Sequence, residues 1–219
     1  MRVHVHVPGI YRQAHLAWAA QVAWSCELFW AGSISHEYAL HYSGGMRQLV
    51  WQHHRNRSHF CIDSRLPSEL YEQSRFCLAP SGDGWGDRLQ KAVKAGCVPV
   101  IVQPAVLMPF EDLLPYQRFS LRLGAADIPN MHERLASVSH TEHAKMRRAL
   151  QRYAPAFNWH EGVGRAYEMA VYALCLRAEQ RVCDHLRPAL LSEPRGERTY
   201  PRRAAQLVVG KPAPSAAGS

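Results

Sequence analysis

Short apolar runs alternate with amphipathic segments along most of the chain, and the two patterns predict different elements. The runs predict buried strands and lie at 27–31, 59–62, 75–79, 97–102 and 119–123. The amphipathic segments space their apolar residues as a helix with one buried face does, and they lie at 46–55, 87–95, 130–153 and 161–186. Because strands alternate with helices, the chain is predicted to adopt an α/β fold with a parallel sheet.

The stretch 75–102 is the most informative, because it contains a complete strand–loop–helix–strand unit. A strand ends at Pro80, and the glycine-rich loop Ser81–Gly86 leads into a helix that begins at Asp87. Parallel sheets bind ligands at the carboxyl ends of their strands, where helix N-termini offer free N–H groups to a phosphate. Arg88 in the first turn can add a bidentate contact. The glycine spacing matches neither a dinucleotide fingerprint nor a P-loop, so a pyrophosphate site and an ordinary glycine-rich turn are equally compatible with it.

Composition narrows the class of protein. The chain has 219 residues, of which 47% are hydrophobic and 20% charged, which is typical of a soluble domain with a tail and unlike a collagen, a coiled coil or a disordered chain. The net charge of +8 favours an anionic partner without choosing among nucleotides, acidic polymers and membrane surfaces. The apolar segment 16–32 is shorter than a membrane helix and is interrupted by Gln21 and Glu27, so we expect it to belong to the core rather than to an anchor.

The six cysteines lie far apart, and none forms a C-x-x-C pair. Because Cys61, Cys77 and Cys97 fall in apolar, strand-like runs, we expect buried thiols, with disulfides left open for an oxidising compartment. The histidine pair His140 and His143 has helical spacing, but no cysteine or acidic cluster completes a ligand set. The sequence therefore predicts no metal site.

Three motifs follow one another in the central part of the chain, and two more precede them. They are FCLAPSGD at 76–83, RLQKAVKAGCVPVI at 88–101 and PFEDLLPY at 109–116, with LFWAGS at 28–33 and YSGGMRQ at 42–48 upstream. Over about Glu27–Trp159 the sequence resembles the exostosin-type inverting glycosyltransferases of family 47, in particular their plant and green-algal branches. The resemblance implies a GT-B architecture of two Rossmann-like halves, of which this chain corresponds to the C-terminal, donor-binding half. The implied organisation is a linker or remnant of the upstream half at 1–26, a donor-binding domain at 27–187 and a disordered tail at 188–219.

The resemblance also implies which residues bind the donor. The set consists of four loop residues, one arginine expected to contact the diphosphate, and one acidic residue near the nucleotide. These residues are Ser81, Gly82, Asp83, Gly84, Arg88 and Glu111. Glu111 is the acid that could bind ribose hydroxyls. The sequence departs from the family pattern at Leu107, where many members carry glutamate. No catalytic base is assigned. The missing upstream half is its expected location, with Asp83 and Glu111 as alternatives.

By resemblance, the chain is expected to bind a UDP-sugar without a metal and to serve in its transfer, with inversion, to a glycan or polysaccharide acceptor. Such enzymes are usually Golgi membrane proteins that face the lumen. One alternative keeps the fold without the chemistry, as a truncated or inactive nucleotide-binding domain that partners another subunit. A more distant alternative is a basic nucleic-acid-binding protein, although no nucleic-acid-binding motif is present.

Overall fold

The computed structural model of the chain describes residues 24–34, 42–82, 87–103, 106–160, 162–178 and 183–192. Two of the predicted site residues, Asp83 and Gly84, lie outside these ranges, as does most of the predicted tail.

Five parallel strands form one sheet. They are β1 (Cys26–Ala31), β2 (Phe60–Asp63), β3 (Ser74–Pro80), β4 (Val98–Val102) and β5 (Leu121–Arg122). Their order is β2-β1-β3-β4-β5, and in the register of the central strands Leu28 lies opposite Phe76, which lies opposite Val98. This arrangement confirms the predicted α/β, Rossmann-like fold. Because all the strands run the same way, their carboxyl ends meet at one edge, here called the carboxyl edge, and their amino ends at the other, the amino edge.

Five α-helices accompany the sheet in the described residues. They are α1 (Met46–His54), α2 (Arg88–Ala95), α3 (Met131–Ala136), α4 (His140–Tyr153) and α5 (Ala166–Arg177). The single helix predicted over 130–153 is therefore wrong, since the Ser139 hydroxyl accepts a hydrogen bond from the Glu142 N–H and starts a new helix there. The helix predicted over 161–186 is also shorter than expected. No helix in the described residues is both long enough and apolar enough to cross a bilayer.

The sheet is covered on both faces, which is why its strands read as continuous apolar runs. On one face the strands pack against α1, α3 and the start of α4 through Leu28, Trp30, Phe76, Leu78, Val98, Val100, Val50, Met131, Leu135 and Met146. On the other face, under β3 and β4, the packing residues include Ala79, Ile101, Leu89, Val93, Phe119, Leu150 and Phe157. Leu190 and Leu191 pack against this second group, so the described fold includes residues 188–192 as well as the predicted domain.

Three disulfides close the described fold: Cys26–Cys61, Cys77–Cys97 and Cys175–Cys183. The Cα atoms of each pair are 5.8 Å apart, within the usual range for a bridge. The expectation of buried thiols is therefore wrong. The first two bridges join neighbouring strands or their ends, and their partners are 35 and 20 residues apart in sequence. Only the order of the strands in the sheet brings such distant residues together, and local sequence pattern does not carry that information.

Candidate functional site

Arg47 joins the segments that meet at the carboxyl edge of the sheet. It lies in the first turn of α1 and is only 5% exposed. Its Nε atom donates a hydrogen bond to the Ser81 carbonyl oxygen at 2.8 Å, and its Nη1 atom donates to the Ser33 carbonyl oxygen at 3.2 Å. The guanidinium also lies 4.5 Å from the centre of the Tyr42 ring. A buried positive charge therefore connects the residues that follow β1 and β3.

The turn before α1 holds this helix against the end of β3. Ser43, Gly44 and Gly45 all have left-handed φ angles, of 60°, 56° and 78°. Glycine adopts such angles without strain, whereas Ser43 is held in place by hydrogen bonds. Its hydroxyl oxygen accepts from the Arg47 N–H, and its carbonyl oxygen accepts from the Ser81 hydroxyl, both at 3.2 Å. The N-terminus of α1 is thereby fixed beside Ser81, where free N–H groups and the helix dipole favour an anion.

Gly82 lies directly against the Arg47 guanidinium. A Cβ atom added at position 82 would lie 3.1 Å from the Arg47 Nη2 atom, which is closer than about nine in ten real contacts of this kind. Glycine here lets the backbone pass close to the buried cation. The structure therefore brings the predicted residues Ser81 and Gly82 together with an arginine that the sequence analysis did not select.

Arg88 occupies a different place, at the start of α2. Its side chain is 22% exposed, and its Nη1 atom lies 3.4 Å from one Asp87 carboxylate oxygen. The other Asp87 oxygen lies 2.5 Å from the Lys91 Nζ atom. Although burial raises the pKa of Asp87, the hydrogen bond from Lys91 and the charge of Arg88 outweigh it and hold this pKa below its usual value. The Arg88 Nε atom is buried and has no hydrogen-bond partner among the described residues. Arg88 thus lies at the N-terminus of α2, the helix that follows β3.

Glu111 is fixed beside the end of β5. One carboxylate oxygen accepts a hydrogen bond from the Met108 N–H at 2.7 Å, and the other lies 2.7 Å from the Arg122 Nη2 atom. Phe110, just before it, has a left-handed φ of 57°, which is strained for a phenylalanine and typical of residues that shape a functional site. Within the described residues, Glu111 forms no hydrogen bond or ion pair with Ser81 or Arg88. The predicted acid therefore lies beside the end of β5, and its partners there are Met108 and Arg122 rather than Ser81 or Arg88.

Besides Arg88 Nε, two further buried polar atoms near this edge have no hydrogen-bond partner in the part of the chain that the structure describes. They are the indole Nε1 of Trp30 in β1 and the side-chain Oε1 of Gln103, which directly follows β4. The Gln103 amide nitrogen donates to the Ala79 carbonyl oxygen at 3.2 Å, so its oxygen remains available. An unpaired buried polar group costs about 1–3 kcal/mol, and such groups call for a missing partner. Together with Arg47, they give the carboxyl edge a positive charge and spare hydrogen-bonding atoms for an anionic, polar ligand.

The remaining predictions concern Leu107 and metals. Leu107 is 73% exposed, so it makes little contribution to the core. Within the described ranges, no three His, Cys, Asp or Glu residues are grouped closely enough to hold a metal ion. Arg47 was missed because nothing in its local spacing marks it, and the signal that could have found it is the motif YSGGMRQ, in which it is the cation after a glycine pair.

Comparison with known proteins shows which family the chain resembles. The model of the exostosin GT47 domain matches residues 29–138. A probable glucuronosyltransferase of Oryza sativa subsp. japonica is 34% identical over 114 residues, covering 50% of this chain and 27% of the relative. A probable glucuronosyltransferase of Physcomitrium patens is 30% identical, covering 50% of this chain and 25% of the relative. A probable beta-1,4-xylosyltransferase of Arabidopsis thaliana is 33% identical, covering 45% of this chain and 25% of the relative.

These relatives are much longer than the region they share with this chain, which spans about a quarter of their length. The family match runs from within β1 to the segment between α3 and α4. It therefore includes the carboxyl end of β1, the other four strands and the site residues described above. Since it covers half of the chain, the protein belongs to the exostosin GT47 domain family.

Proposed function

We propose that this domain binds the nucleotide-sugar donor of an inverting glycosyltransferase, and that the donor is a UDP-sugar held at the carboxyl edge. The observation that carries the proposal is the buried Arg47, fixed beside Ser81 and Gly82 at the N-terminus of α1. A diphosphate carries negative charge that such a cation and the neighbouring helix N-termini match. The family match and the glycosyltransferase names of the relatives support the same assignment.

In the proposed reaction, an acceptor hydroxyl oxygen attacks the anomeric carbon of the sugar from the face opposite the diphosphate. The bond from that carbon to the diphosphate oxygen breaks, UDP leaves with the bonding electron pair, and a general base takes the hydroxyl proton. Arg47 and Arg88 supply positive charge where negative charge develops on the leaving group. We place the base outside the described residues, in the upstream half that the family resemblance implies.

Glu111 is proposed to bind the ribose. Its two oxygens already contact the Met108 N–H and Arg122, but a carboxylate offers about four acceptor positions, so two remain for hydroxyl groups. Leu107, which stands where many family members have glutamate, leaves Glu111 as the acid proposed for this contact. This substitution also favours a second candidate function, a domain that binds nucleotide without completing transfer.

The relatives' names suggest glucuronic acid and xylose as the sugar, with a glycan or polysaccharide as the acceptor. We further propose that the protein works on the lumenal side of the Golgi membrane. Support comes from the three disulfides, because such bridges persist in oxidising compartments and are rare in the cytosol.

Calorimetric titration of UDP and UMP into the 219-residue chain tests the donor site. We expect UDP to bind with micromolar affinity and UMP more weakly, because UMP lacks the second phosphate. Arg47→Ala and Arg88→Ala should each weaken UDP binding by about tenfold or more. Arg148→Ala, at an exposed position on α4, is the matched control and should bind UDP normally. A folded wild-type chain that does not bind UDP would refute the proposal, whereas UDP binding without sugar transfer in a full-length protein would select the second candidate.

A further inference from the structure

A separate cavity opens at the amino edge of the sheet, at the opposite ends of the strands from Arg47. It has a volume of about 740 Å³, which is within the usual size of small-ligand sites. Its walls are the last turn of α1, the loop 55–59 that joins α1 to β2, the first residues of β1 and β2, and α3. No residue of this amino-edge cavity belongs to the proposed donor site.

The cavity is cationic. Arg55 and Arg57 both line it, and neither forms an ion pair with any described residue. Among the described residues, Glu27 is the single carboxylate in the lining, and its charge is compensated by Arg75, whose Nη1 atom lies 2.7 Å away. Two guanidinium groups of the lining therefore carry positive charge without a paired carboxylate. Each can bind a carboxylate through two parallel hydrogen bonds.

The rest of the lining includes amide, hydroxyl and imidazole groups and one phenyl ring. Gln52, Asn56 and Ser58 offer amide and hydroxyl groups, and Phe60 contributes a ring. Amides and hydroxyls can donate to and accept from the hydroxyls of a sugar, and a ring can pack against its apolar face. A simple anion such as phosphate would use few of these neutral groups, whereas a sugar would use most of them. An extended nucleic acid needs a long stripe of cations along its backbone rather than two in one cavity.

His54 fixes the end of α1 against the segment that leads into α3, and these two helices are walls of the cavity. It lies at the end of α1, is almost fully buried, and its Nε2 atom lies 2.5 Å from the Ile128 carbonyl oxygen, just before α3. Its ring also lies 5.5 Å from the Phe60 ring and 5.8 Å from the His132 ring. Burial lowers the pKa of His54, which keeps it neutral in this packed position. The Nδ1 atom of His132, on the cavity wall, is buried without a partner among the described residues.

From this combination we infer that the amino-edge cavity binds an acidic saccharide, with a uronate carboxylate on Arg55 and Arg57 and the sugar hydroxyls on the neutral polar groups. The cavity and the donor site share no residue, so either assignment can fail without the other. Such a site would hold an acidic glycan at a distance from the place where the sugar is transferred.

The test is titration of a uronic-acid tetrasaccharide into the 219-residue chain at physiological salt, beside a neutral tetrasaccharide, inorganic phosphate and duplex DNA. We expect the uronate saccharide to bind more tightly than all three. The double variant Arg55→Ala/Arg57→Ala should weaken its binding by about tenfold or more. The control Lys145→Ala/Arg148→Ala removes the same charge from exposed positions on α4 and should change binding by less than about twofold.

Four results would overturn the inference. They are equal binding of the neutral saccharide, equal losses in both double variants, phosphate binding as tight as that of the uronate, and tighter binding of DNA, which would mark a nucleic-acid surface. UDP titration of each variant, together with a thermal melt, separates these outcomes from misfolding. The Arg55→Ala/Arg57→Ala variant should melt as a folded protein and bind UDP as the wild type does.

Discussion

Replacing His143 with glutamine should remove a pH-dependent loss of stability. His143 lies on α4, is 4% exposed, and donates from Nε2 to the Arg75 carbonyl oxygen at 2.9 Å. Its ring packs edge-on against two aromatic rings, with centroid distances of 5.5 Å to Trp24 and 5.2 Å to Phe76. The pKa of His143 is lowered to about 4, mainly because the side chain is buried. The hydrogen bond to the Arg75 carbonyl oxygen opposes this shift, and the positive charges of Arg75 and Arg147 add to it.

The sign of the effect follows from which state binds the proton. In the unfolded chain the pKa of a histidine is about 6.5, so as pH falls below that value the unfolded state of the chain takes up a proton at His143 and the folded state does not. Folding stability therefore falls with pH until the folded state also binds the proton near pH 4. At about 1.4 kcal/mol per pKa unit, the full loss is about 3 kcal/mol, of which about 2 kcal/mol is reached by pH 5.

Urea unfolding at pH 7.5 and pH 5, without reductant, measures this loss. Glutamine keeps an N–H donor for the Arg75 carbonyl but does not titrate, so His143→Gln should lose about 2 kcal/mol less than the wild type between the two pH values. His185→Gln, at an exposed position outside α4, is the matched control and should behave as the wild type does. If His143→Gln loses as much stability as the wild type, the buried, neutral histidine is the wrong explanation.

Three further predictions address the bridges and the donor site. Cys77→Ala/Cys97→Ala should lower the free energy of unfolding by about 3 kcal/mol, since the bridge closes a loop of 20 residues; an unchanged urea midpoint would exclude the bridge. Gly82→Ala should weaken UDP binding by about tenfold, with little change in melting temperature, because its Cβ crowds the Arg47 guanidinium; unaltered UDP affinity contradicts this. Leu107→Glu, at an exposed position, should change stability by less than about 0.5 kcal/mol and strengthen UDP binding, and titration showing weaker binding would argue against an acid there.

The sheet was predictable because strands buried on both faces leave a local mark. Val98–Val102 in β4 is apolar at every position, which only a strand covered on both sides tolerates without exposing side chains. The glycine-rich loop was equally visible, because it interrupts the pattern between β3 and α2. The break between α3 and α4 has a local signal too, in Ser139 followed three residues later by Glu142, but it competes with a helical pattern that continues across it.

The site and the bridges were less predictable, because they depend on residues that are distant in sequence. Arg47 donates a hydrogen bond to Ser81, which is 34 residues later in the sequence, and Cys26 forms a disulfide with Cys61, which is 35 residues later. Neither pairing follows from local spacing, since both require knowledge of which strands lie side by side. The family motifs identified the right part of the chain, but they did not show which of its cations is buried.

The pairing of the cysteines has a consequence for biosynthesis. Each bridge joins cysteines that are neighbours in the order 26, 61, 77, 97, 175 and 183, so no bridge encloses or crosses another. A chain entering an oxidising lumen from its N-terminal end presents the two members of each pair in succession, before the next pair emerges. Native bridges can then form in the order of translocation, and the slow reshuffling that interleaved bridges require is unnecessary. In a reducing cytosol the bridges would not form in this order during synthesis, so secretory expression is the appropriate source of folded protein.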